Sequence, residues 1–392
     1  MNSVLQSVSK IQIDRLFVHP EALDTVICQR VAAALPDLPI EMAEQTPLGP
    51  ERDRLSADEY VRSKRSLWLT PFRGTFFKRC PGATQKKVLN CCNYHVLNLG
   101  SQCNFDCSYC YLQSYLQHKT LKIYTNVDSA LAELREMAQE HGHLPFRVGT
   151  GEIMDSLSLD PLTLVSRDLI AFFANYPKWT LEFKTKSDFV DQFLDAPHAG
   201  NVVVSWSVNP AEIVNREEHG TARLAERLAA ARRCRNRGFQ IAFHLDPMIY
   251  FPDWQLHYAE LVDQITSQFS PDDVNVISMG ALRFQPEQRF LMKERFGLKS
   301  LVTSAEMWPS EGGKLRYDFQ IRNQMFDFVI QRFRGHNSRW RIFLCMETPE
   351  TWIQSLQQTP MQVEGLRDLF RPLPKLALET EVATQVTNGV QS

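Results

Sequence analysis

The chain has 392 residues, 44% of them hydrophobic and 22% charged, with a formal net charge of −2. This composition is typical of a globular protein with one large core, and it excludes binding of nucleic acid through bulk positive charge. No apolar run reaches the roughly 20 residues that a transmembrane helix needs, and the start of the chain lacks an export signal. We therefore expect a cytoplasmic protein without a membrane partner.

Residues 1–90 predict an N-terminal α/β extension. KIQIDRLFVH has the pattern of a strand, LDTVICQRVAAAL that of a helix, and PLGPERDRLSADE that of a polar loop. Between Arg62 and Lys87 there are eight Lys or Arg residues and no acidic residue. Aromatic residues interleave with them at Trp68, Phe72, Phe76 and Phe77. Such a segment is typical of a surface that grips phosphates and stacks on bases, although a solvated arm packed on the main domain is the alternative.

From residue 91 onward, strand-like and helix-like segments alternate. Six strands are predicted at 94–100, 145–152, 179–186, 201–209, 239–248 and 274–284. Helical spacing is found between them, at 127–142, 160–177, 221–238 and 254–269. Such alternation indicates a parallel sheet. Because six units are too few for a closed eightfold barrel, we expect an α/β fold with a partial (β/α)6 barrel over residues 91–285.

The remaining residues predict a C-terminal subdomain, 286–373, that closes the barrel mouth, followed by a disordered tail, 374–392. The subdomain contains a second basic aromatic segment, RFRGHNSRWR at 332–341. Arg334, Arg339 and Arg341 are its candidate phosphate contacts.

Three of the nine cysteines, Cys103, Cys107 and Cys110, lie within the stretch SQCNFDCSYCYLQ directly after the first barrel strand. In parallel α/β folds the chemistry lies at the carboxyl ends of the strands, where this loop is expected. Structural zinc needs four ligands, and no matching second pair lies nearby. A [4Fe–4S] cluster held by three thiolates keeps one iron free for a sulfonium cofactor such as S-adenosylmethionine (SAM). Zinc or unliganded thiols remain the alternative.

The C-x3-C-x2-C spacing, with Tyr109 before the last cysteine, resembles the signature of the radical SAM superfamily. Within that superfamily, CCNYHVLNLGSQCNFDCSYCYLQSYLQ, IYTNVD, VSWSVN and RIFLCME closely resemble the spore photoproduct lyase family, from about residue 80 to 350. The resemblance implies an enzyme that uses a 5′-deoxyadenosyl radical to split a methylene-bridged thymine dimer in DNA. It also implies a reducing electron donor such as flavodoxin or ferredoxin.

One departure from that family concerns its hydrogen donor, a cysteine that follows the second barrel strand. None of the nine cysteines lies between Cys110 and Cys234, and the segment GTGE places Glu152 or a neighbour at this point. The segment resembles the Gly-Gly-Glu motif that holds the amino group of SAM in many radical SAM enzymes. Gly149 and Glu152 are therefore predicted to bind the cofactor, with an acid leading the next helix as the alternative.

Other candidate residues follow from the resemblance and from their places at strand ends. Tyr109 and Tyr111 match tyrosines that relay the radical in the lyases, and packing against the cluster is the alternative. Candidate SAM contacts at strand ends are Lys184 and Lys186 for the carboxylate, and Ser207 and Asn209 for the ribose. His244 and Asp246 are expected to face cofactor or substrate; each of these polar residues has helix capping as its alternative.

The other cysteines are weaker candidates for a replacement donor. Cys234 is expected to pack within a helix and Cys345 within an apolar strand. Cys91 and Cys92 precede the first barrel strand and are expected at its wrong end.

Three functions remain open at this level. The first is lyase-type radical chemistry on a nucleobase or DNA lesion, and the second is radical SAM chemistry on a small metabolite or peptide, which the missing cysteine favours. The third is a metal-containing nucleic-acid-binding protein without catalysis.

Overall fold

The computed structural model describes residues 6–47, 55–81, 89–90, 92, 94–116, 119–303 and 306–363. Its strands are β1 (Arg15–Val18), β2 (Ile40–Met42), β3 (Ser66–Thr70), β4 (Phe77–Arg79), β5 (Tyr94–Leu97), β6 (Gly100–Ser101), β7 (Asp106–Cys107), β8 (Leu121–Tyr124), β9 (Phe146–Gly149), β10 (Trp179–Thr185), β11 (Val202–Ser207), β12 (Glu218–His219), β13 (Gln240–Met248), β14 (Val274–Ala281), β15 (Arg283–Phe284), β16 (Trp308–Pro309), β17 (Leu315–Arg316) and β18 (Ile342–Leu344). Its α-helices are α1 (Val26–Ala34), α2 (Ala57–Ser63), α3 (Leu112–Tyr115), α4 (Val127–His141), α5 (Asp160–Thr163), α6 (Val165–Phe173), α7 (Ala211–Glu217), α8 (Leu224–Asn236), α9 (Trp254–Thr266), α10 (Gln288–Phe296), α11 (Phe319–His336) and α12 (Pro349–Leu356). Within the described ranges, none of the helices has both the length and the apolar character needed to span a bilayer.

The main sheet is a curled half-barrel of eight strands in the order β18-β14-β13-β11-β10-β9-β5-β4. The six strands predicted from the sequence are consecutive neighbours in it, and every pair among them is parallel. The prediction of a partial α/β barrel is therefore confirmed. Two further strands extend it, since β18 joins β14 in parallel and β4 joins β5 antiparallel.

The two faces of this sheet differ in chemistry. The outer face carries Phe183, Trp206 and Phe243, one from each of three neighbouring strands. All three are buried and pack among apolar side chains. On the inner face, a salt bridge and hydrogen bonds join Glu182 to other buried polar side chains. Because side chains alternate between faces, each strand presents apolar residues to the helices and polar residues to the interior.

A second sheet, in the order β2-β1-β3-β8-β6, lies beside the half-barrel. Its strand β8 was not predicted, because four residues with a central lysine carry little periodicity. The cysteine loop lies between β6 and β8, so its two ends are anchored in this second sheet.

Two predicted boundaries were wrong. The polar loop predicted to run through residue 59 ends earlier, because Ser56 and Glu59 form a capping box that begins α2. The helix predicted over 160–177 is split into α5 and α6 at Leu164, which has a positive φ of 55°. The predicted disordered tail at 374–392 lies outside the described residues.

The C-terminal part returns to the half-barrel. After β14 come α10, a small antiparallel sheet of β15, β17 and β16, and the long helix α11. The chain then forms β18 at the edge of the half-barrel. An antiparallel bridge between Asn90 and Glu347 connects the approach to β5 with the exit from β18.

Candidate functional site

The three-cysteine loop follows β5 and lies at the carboxyl edge of the half-barrel. Its short strand β7 pairs antiparallel with β12, and Cys107 stands opposite Glu218. The predicted position of the loop is thus the position found.

A buried lysine holds the first part of this loop. The Lys64 ammonium donates to the carbonyl oxygens of Cys103 at 2.9 Å and Phe105 at 2.5 Å. It also lies 3.6 Å from the carboxylate of Asp106, which accepts two 2.7 Å hydrogen bonds from Arg295. The side chain of Lys64 is only 3% exposed. This lysine of the basic aromatic segment therefore supports the loop from within, while Trp68, Phe76 and Phe77 are buried in the core.

Two buried glutamines hold the second part of the cysteine loop. Gln113 donates to the carbonyl oxygens of Ser108 at 2.8 Å and Cys110 at 3.1 Å. Gln288, from α10, donates to those of Tyr109 at 3.0 Å and Cys110 at 3.1 Å. The loop carbonyls are thus paired with fixed donors, which preorganises the backbone around the cysteines.

A pair of glutamates anchors the loop from the side of β12. Glu217 accepts hydrogen bonds from the Ser108 hydroxyl and, at 2.6 Å, from the Leu301 amide. Glu218 accepts the Tyr109 phenol hydrogen and forms a fully buried 2.6 Å ion pair with Arg227. Although burial raises the pKa of Glu218, Arg227 and Lys186 lower it to about 2 overall, so the carboxylate is ionised at neutral pH.

The three motif thiols are close enough to influence one another's ionisation. Burial raises the pKa of Cys103 to about 12 and that of Cys107 well above its usual value, while Lys64 and Lys186 act in the opposite direction. Binding to iron would release these thiol protons, and the two ammonium groups lie where they offset thiolate charge.

The donor set around the loop can be compared with what a cluster requires. Three thiols lie on one short loop, with Lys64 and Lys186 close enough to act on their ionisation. A [4Fe–4S] cluster takes thiolate ligands from such a loop, and these residues fit that requirement.

The two candidate relay tyrosines have different surroundings. Tyr109 is buried, with its hydroxyl on Glu218 and its ring 5.7 Å from the Lys186 ammonium. Tyr111 is 42% exposed, and its hydroxyl donates to the backbone carbonyl of Glu152. The phenol of Tyr111 therefore faces the loop after β9, whereas that of Tyr109 is committed to a buried carboxylate.

Glu152 lies on the loop after β9, at the carboxyl edge of the half-barrel. Its carboxylate is 3.7 Å from the Lys78 ammonium, and the Asn98 amide donates to it at 3.3 Å. Burial raises its pKa, against the effect of Lys78. At Gly149, a Cβ atom would stand 1.5 Å from the Tyr94 hydroxyl, so the glycine makes room for that side chain. The cofactor role of both residues stays a prediction.

The other predicted SAM contacts also lie at strand ends. Lys184 lies near the end of β10, close enough to His244 and Asp246 to lower the pKa of each. Lys186 lies just beyond that end, between Glu218 and Cys107. The structure thus brings both lysines to the edge that carries the cysteine loop.

Ser207 and Asn209 are both buried at the end of β11. The Ser207 carbonyl accepts a 2.8 Å hydrogen bond from Arg227. Asn209 donates to Glu218 at 3.0 Å, so its amide belongs to the network that fixes Tyr109.

His244 is part of the polar interior of the half-barrel. Its Nε2 lies 3.0 Å from Glu182, which also forms a 2.6 Å ion pair with Arg147. Burial, together with nearby Lys184, lowers the pKa of His244 to about 4 despite Glu182. The imidazole is therefore neutral at pH 7.

The candidate phosphate-binding arginines lie at the opposite edge. Arg341 donates to the carbonyl of Val274, the first residue of β14, and Arg339 forms two 2.9 Å hydrogen bonds with Asp272. Arg334 is exposed in the last turn of α11. These residues border the amino ends of the strands, so the structure does not bring them to the cysteine loop. The sequence-based prediction that they contact DNA is untested, and their position argues against contact with a lesion bound at the cysteine loop.

The positions of the remaining cysteines match only some of the sequence-based predictions. Cys234 is fully buried in α8, as expected. Cys345 directly follows β18 and is half-buried, so its expected place inside a strand was wrong. Cys92 precedes β5 in the structure, as expected, and Cys91 lies outside the described residues.

Sequence reasoning did not identify the residues that support the loop, namely Lys64, Gln113, Glu217, Glu218, Gln288 and Arg295. The consecutive acids in NREEHG stand among other polar residues, so nothing local in the sequence indicates a buried charge network there. Their partners lie about 100 residues away in sequence, which single-sequence patterns do not reveal.

Comparison with known proteins gives a consistent result. The family model described as "Spore photoproduct lyase" matches residues 12–314. Spore photoproduct lyase of Geobacillus sp. (strain Y412MC61) is 26% identical over 288 residues, covering 72% of this chain and 82% of that protein. The protein of the same name from Bacillus subtilis (strain 168) is 24% identical over 263 residues, covering 66% and 74%.

Solved structures agree at the level of the fold. A mutant of spore photoproduct lyase with bound AdoMet and dinucleoside spore photoproduct superposes with a TM-score of 0.75 at 21% identity. The match covers 86% of this chain and all of that one. Spore photoproduct lyase complexed with dinucleoside spore photoproduct also gives 0.75 at 21% identity, covering 86% and 99%.

Proposed function

Because the chain belongs to the spore photoproduct lyase family of radical SAM enzymes, we propose that it acts on a thymine-derived lesion in DNA. The observation that carries this proposal is the three-cysteine loop at the carboxyl edge of the half-barrel, with its carbonyls held by Lys64, Gln113 and Gln288. These fixed donors hold the backbone around the three cysteines in place, as a site for a reactive cluster requires.

Cys103, Cys107 and Cys110 would hold a [4Fe–4S] cluster, and its free iron would bind SAM. When bound and reduced by a donor of the flavodoxin or ferredoxin class, this pair supplies a 5′-deoxyadenosyl radical. The chain's own contribution is to hold the loop, to offset thiolate charge with Lys64 and Lys186, and to exclude water with the buried network around Glu218.

Residues along the same edge would orient SAM. Lys184 supplies a cation for the carboxylate, and Glu152 supplies a carboxylate for the ammonium group once Lys78 releases it. Ser207 and Asn209 are proposed for the ribose; the bond of Asn209 to Glu218 couples that contact to Tyr109.

The test is anaerobic reconstitution with iron and sulfide, followed by incubation with SAM, dithionite and dinucleoside spore photoproduct. We expect 5′-deoxyadenosine chemistry and release of the thymine dinucleotide, both abolished in C110A and kept in C234A. The latter is a matched control because Cys234 is buried far along the chain in α8. Cluster formation without lesion reversal would contradict the proposed substrate.

A second candidate is radical SAM chemistry on a small metabolite or peptide. The absence of a cysteine between Cys110 and Cys234 favours it, because the family's hydrogen donor is missing there. Mass spectrometry of SAM products with and without lesion DNA separates the two, since only the lesion enzyme requires the dinucleoside for turnover.

A further inference from the structure

The proposed function, on which this inference rests, requires an electron that reaches the cysteine loop from another protein. Lys184 and Glu152 lie at the carboxyl edge of the half-barrel, where SAM and the lesion would bind, so that side is closed to a protein donor during turnover. Another side of the loop is covered by α10 and by the short strand β12. The outer surface of these two elements is therefore open to a donor that must come close to the three cysteines.

The helix α10 contacts the backbone of the loop directly. From its first turn, Gln288 donates to the Cys110 carbonyl at 3.1 Å. From its last turn, Arg295 donates two 2.7 Å hydrogen bonds to the carboxylate of Asp106, the residue before Cys107. The rate of electron transfer falls steeply with distance, and here one hydrogen bond joins the helix to a predicted cluster ligand.

The contact between α10 and β12 brings a pair of rings to the same place. Phe296, the last residue of α10, stacks on the ring of His219 with centroids 5.5 Å apart. His219 stands opposite Asp106 where β12 pairs with β7. The side of α10 that carries Phe296 therefore lies next to the cysteine loop.

The outside of α10 is unusually apolar. Among the large hydrophobic residues in the described ranges, Leu298 at 75% and Phe290 at 70% have the highest exposed fractions. Phe290 lies in the first turn of the helix, and Leu298 follows its end. Single exposed apolar residues are common, but two strongly exposed ones at the two ends of one short helix indicate a contact surface for another protein.

The charges of α10 are separated by sign around its axis. Arg289, Lys293 and Phe296 follow one another at spacings of four and three residues, so they share one flank of the helix. Glu287 and Glu294 are seven residues apart and share another flank. Because Phe296 contacts β12, the flank next to the cysteine loop is the basic one.

The positive charge continues beyond the helix. Lys299 is exposed, and its carbonyl accepts a 3.0 Å hydrogen bond from Arg216 of α7. Arg216 is itself 43% exposed, although part of its charge is offset by Glu212 at 3.1 Å. Lysine and arginine side chains thus border the exposed apolar residues of α10.

We propose that a one-electron carrier protein with an acidic surface docks on Arg289, Phe290, Lys293, Leu298 and Lys299, which we call the α10 surface. Basic side chains around an apolar centre are complementary to carboxylates around an exposed flavin or iron–sulfur centre. Encounters of this kind bury little area and depend on charge for steering, so a surface of this size suffices. In each encounter the carrier loses one electron and the cluster site gains one, and no covalent bond forms.

The first test measures docking without turnover. The reconstituted protein is mixed anaerobically with flavodoxin and treated with a carbodiimide, which joins a lysine amine to a carboxylate that it touches. Peptide mass spectrometry should find flavodoxin joined to Lys293 or Lys299. Isothermal calorimetry should show binding that weakens at least fivefold from low to physiological salt, because the contact depends on charge.

The second test compares R289E/K293E with R135E/R232E, which reverses two exposed arginines on α4 and α8, away from the α10 surface. We expect R289E/K293E to bind flavodoxin at least tenfold more weakly than wild type, and R135E/R232E to stay within twofold. With reduced flavodoxin and SAM, formation of 5′-deoxyadenosine should fall at least fivefold in R289E/K293E alone. Dithionite needs no docking site, so with it both variants should stay within twofold of wild type.

Three results would overturn the inference. They are equal flavodoxin binding by the two variants, cross-links that avoid the α10 surface, and a loss of activity in R289E/K293E that is as large with dithionite as with flavodoxin. Failure of the proposed function is distinguishable, because the wild type would then form no 5′-deoxyadenosine, or leave the lesion intact, with dithionite and without any carrier present.

Discussion

At the residue scale, Lys64 shows how much of the site depends on one buried charge. Its ammonium joins the carbonyls of Cys103 and Phe105 to the Asp106 carboxylate from a nearly inaccessible position. Removing a buried cation leaves those acceptors without a donor and the carboxylate with one counterion fewer. The residue thus connects the stability of the fold directly with the shape of the cysteine loop.

We therefore predict that Lys64→Met lowers the free energy of unfolding by about 2–4 kcal/mol and the iron bound after reconstitution by at least half. Urea unfolding and iron and sulfide analysis measure the two effects. Arg65→Met is the matched control, because Arg65 is 44% exposed and 3.8 Å from Asp14, an arrangement worth less than about 1 kcal/mol. Equal effects of the two substitutions would contradict the role given to Lys64.

A second residue-scale prediction concerns pH. The folded-state pKa of His244 is about 4, mainly through burial, and its ordinary value is 6.5. Between these values the unfolded chain binds a proton that the folded chain does not. The free energy of unfolding therefore falls as the pH drops from 6.5 towards 4, by roughly 2–3 kcal/mol at pH 4.5.

His244→Gln keeps a donor for Glu182 but removes this titration. We expect the stability of wild type to fall more steeply than that of H244Q between pH 6.5 and 4.5, as measured by urea unfolding at each pH. Parallel curves for the two proteins would show that folding does not lower the pKa of His244.

These residues also indicate what a sequence reveals. The spacing of Cys103, Cys107 and Cys110 was recognisable because all three ligands lie on one short loop. The strand-end positions of Lys184 and Ser207 followed from alternation of strands and helices. Lys64, Glu218 and Gln288 escaped because they act through contacts between distant segments, and a lysine in a basic stretch looks the same whether it is buried or exposed.

At the element scale, the pairing of β7 with β12 connects the cysteine loop to the half-barrel. Glu218 at the start of β12 pairs with Arg227 of α8, and Arg227 donates to the Ser207 carbonyl at the end of β11. The side chains of Glu218 and Arg227 are fully buried, so each charge is neutralised mainly by the other. The helix α8 and the barrel strand β11 thereby hold the two-residue strand β12 in place.

We predict that Glu218→Gln destabilises the fold by about 3–5 kcal/mol, because Arg227 would remain buried and unneutralised. In an Arg227→Gln background, the same change should cost at least about 2 kcal/mol less, as a double-mutant cycle measures. Hydrogen exchange at the Ser108 amide, which bonds to the Glu217 carbonyl, should accelerate in E218Q.

The exposed pair Arg216–Glu212 on α7 is the control for this cycle. Its side chains are 43% and 39% exposed and stand at i, i+4, so a coupling of about 0.5 kcal/mol or less is expected. A coupling of that size for Glu218 and Arg227 would show that their burial is not maintained in solution.

Elements differ in how well the sequence indicated them. The strands of the half-barrel are apolar on one face and flanked by amphipathic helices, so their order was predictable. β8 was missed because it is short and contains Lys122, whose ammonium lies over the Trp68 ring in the neighbouring strand. That contact exists only once β3 and β8 pair, and nothing local in LKIY reveals it.

At the scale of the whole molecule, the cysteine loop lies where two sheets meet. It leaves the half-barrel at β5, is anchored in the N-terminal sheet by β6 and β8, and is covered by α10. The N-terminal extension is therefore part of the site's support. This arrangement also gives the half-barrel two distinct edges. The carboxyl edge carries the cysteine loop, and the amino edge carries the basic segment at 332–341.

The separation of these edges leads to a prediction about DNA. The strand β14 has eight residues, so Arg339 and Arg341 at its start lie about 25 Å from the carboxyl edge. A dinucleoside bound at the cysteine loop cannot reach that far, and the charge of Arg339 is already paired with Asp272. We expect the triple variant R334A/R339A/R341A to keep kcat/KM on dinucleoside spore photoproduct within twofold of wild type.

We also expect the affinity of this triple variant for a lesion-containing duplex, measured at two salt concentrations, to fall less than threefold. Lys184→Met at the carboxyl edge is the comparison and should lower turnover on both substrates. A much larger loss by the triple variant on the duplex alone would instead place these arginines on the path of the DNA backbone.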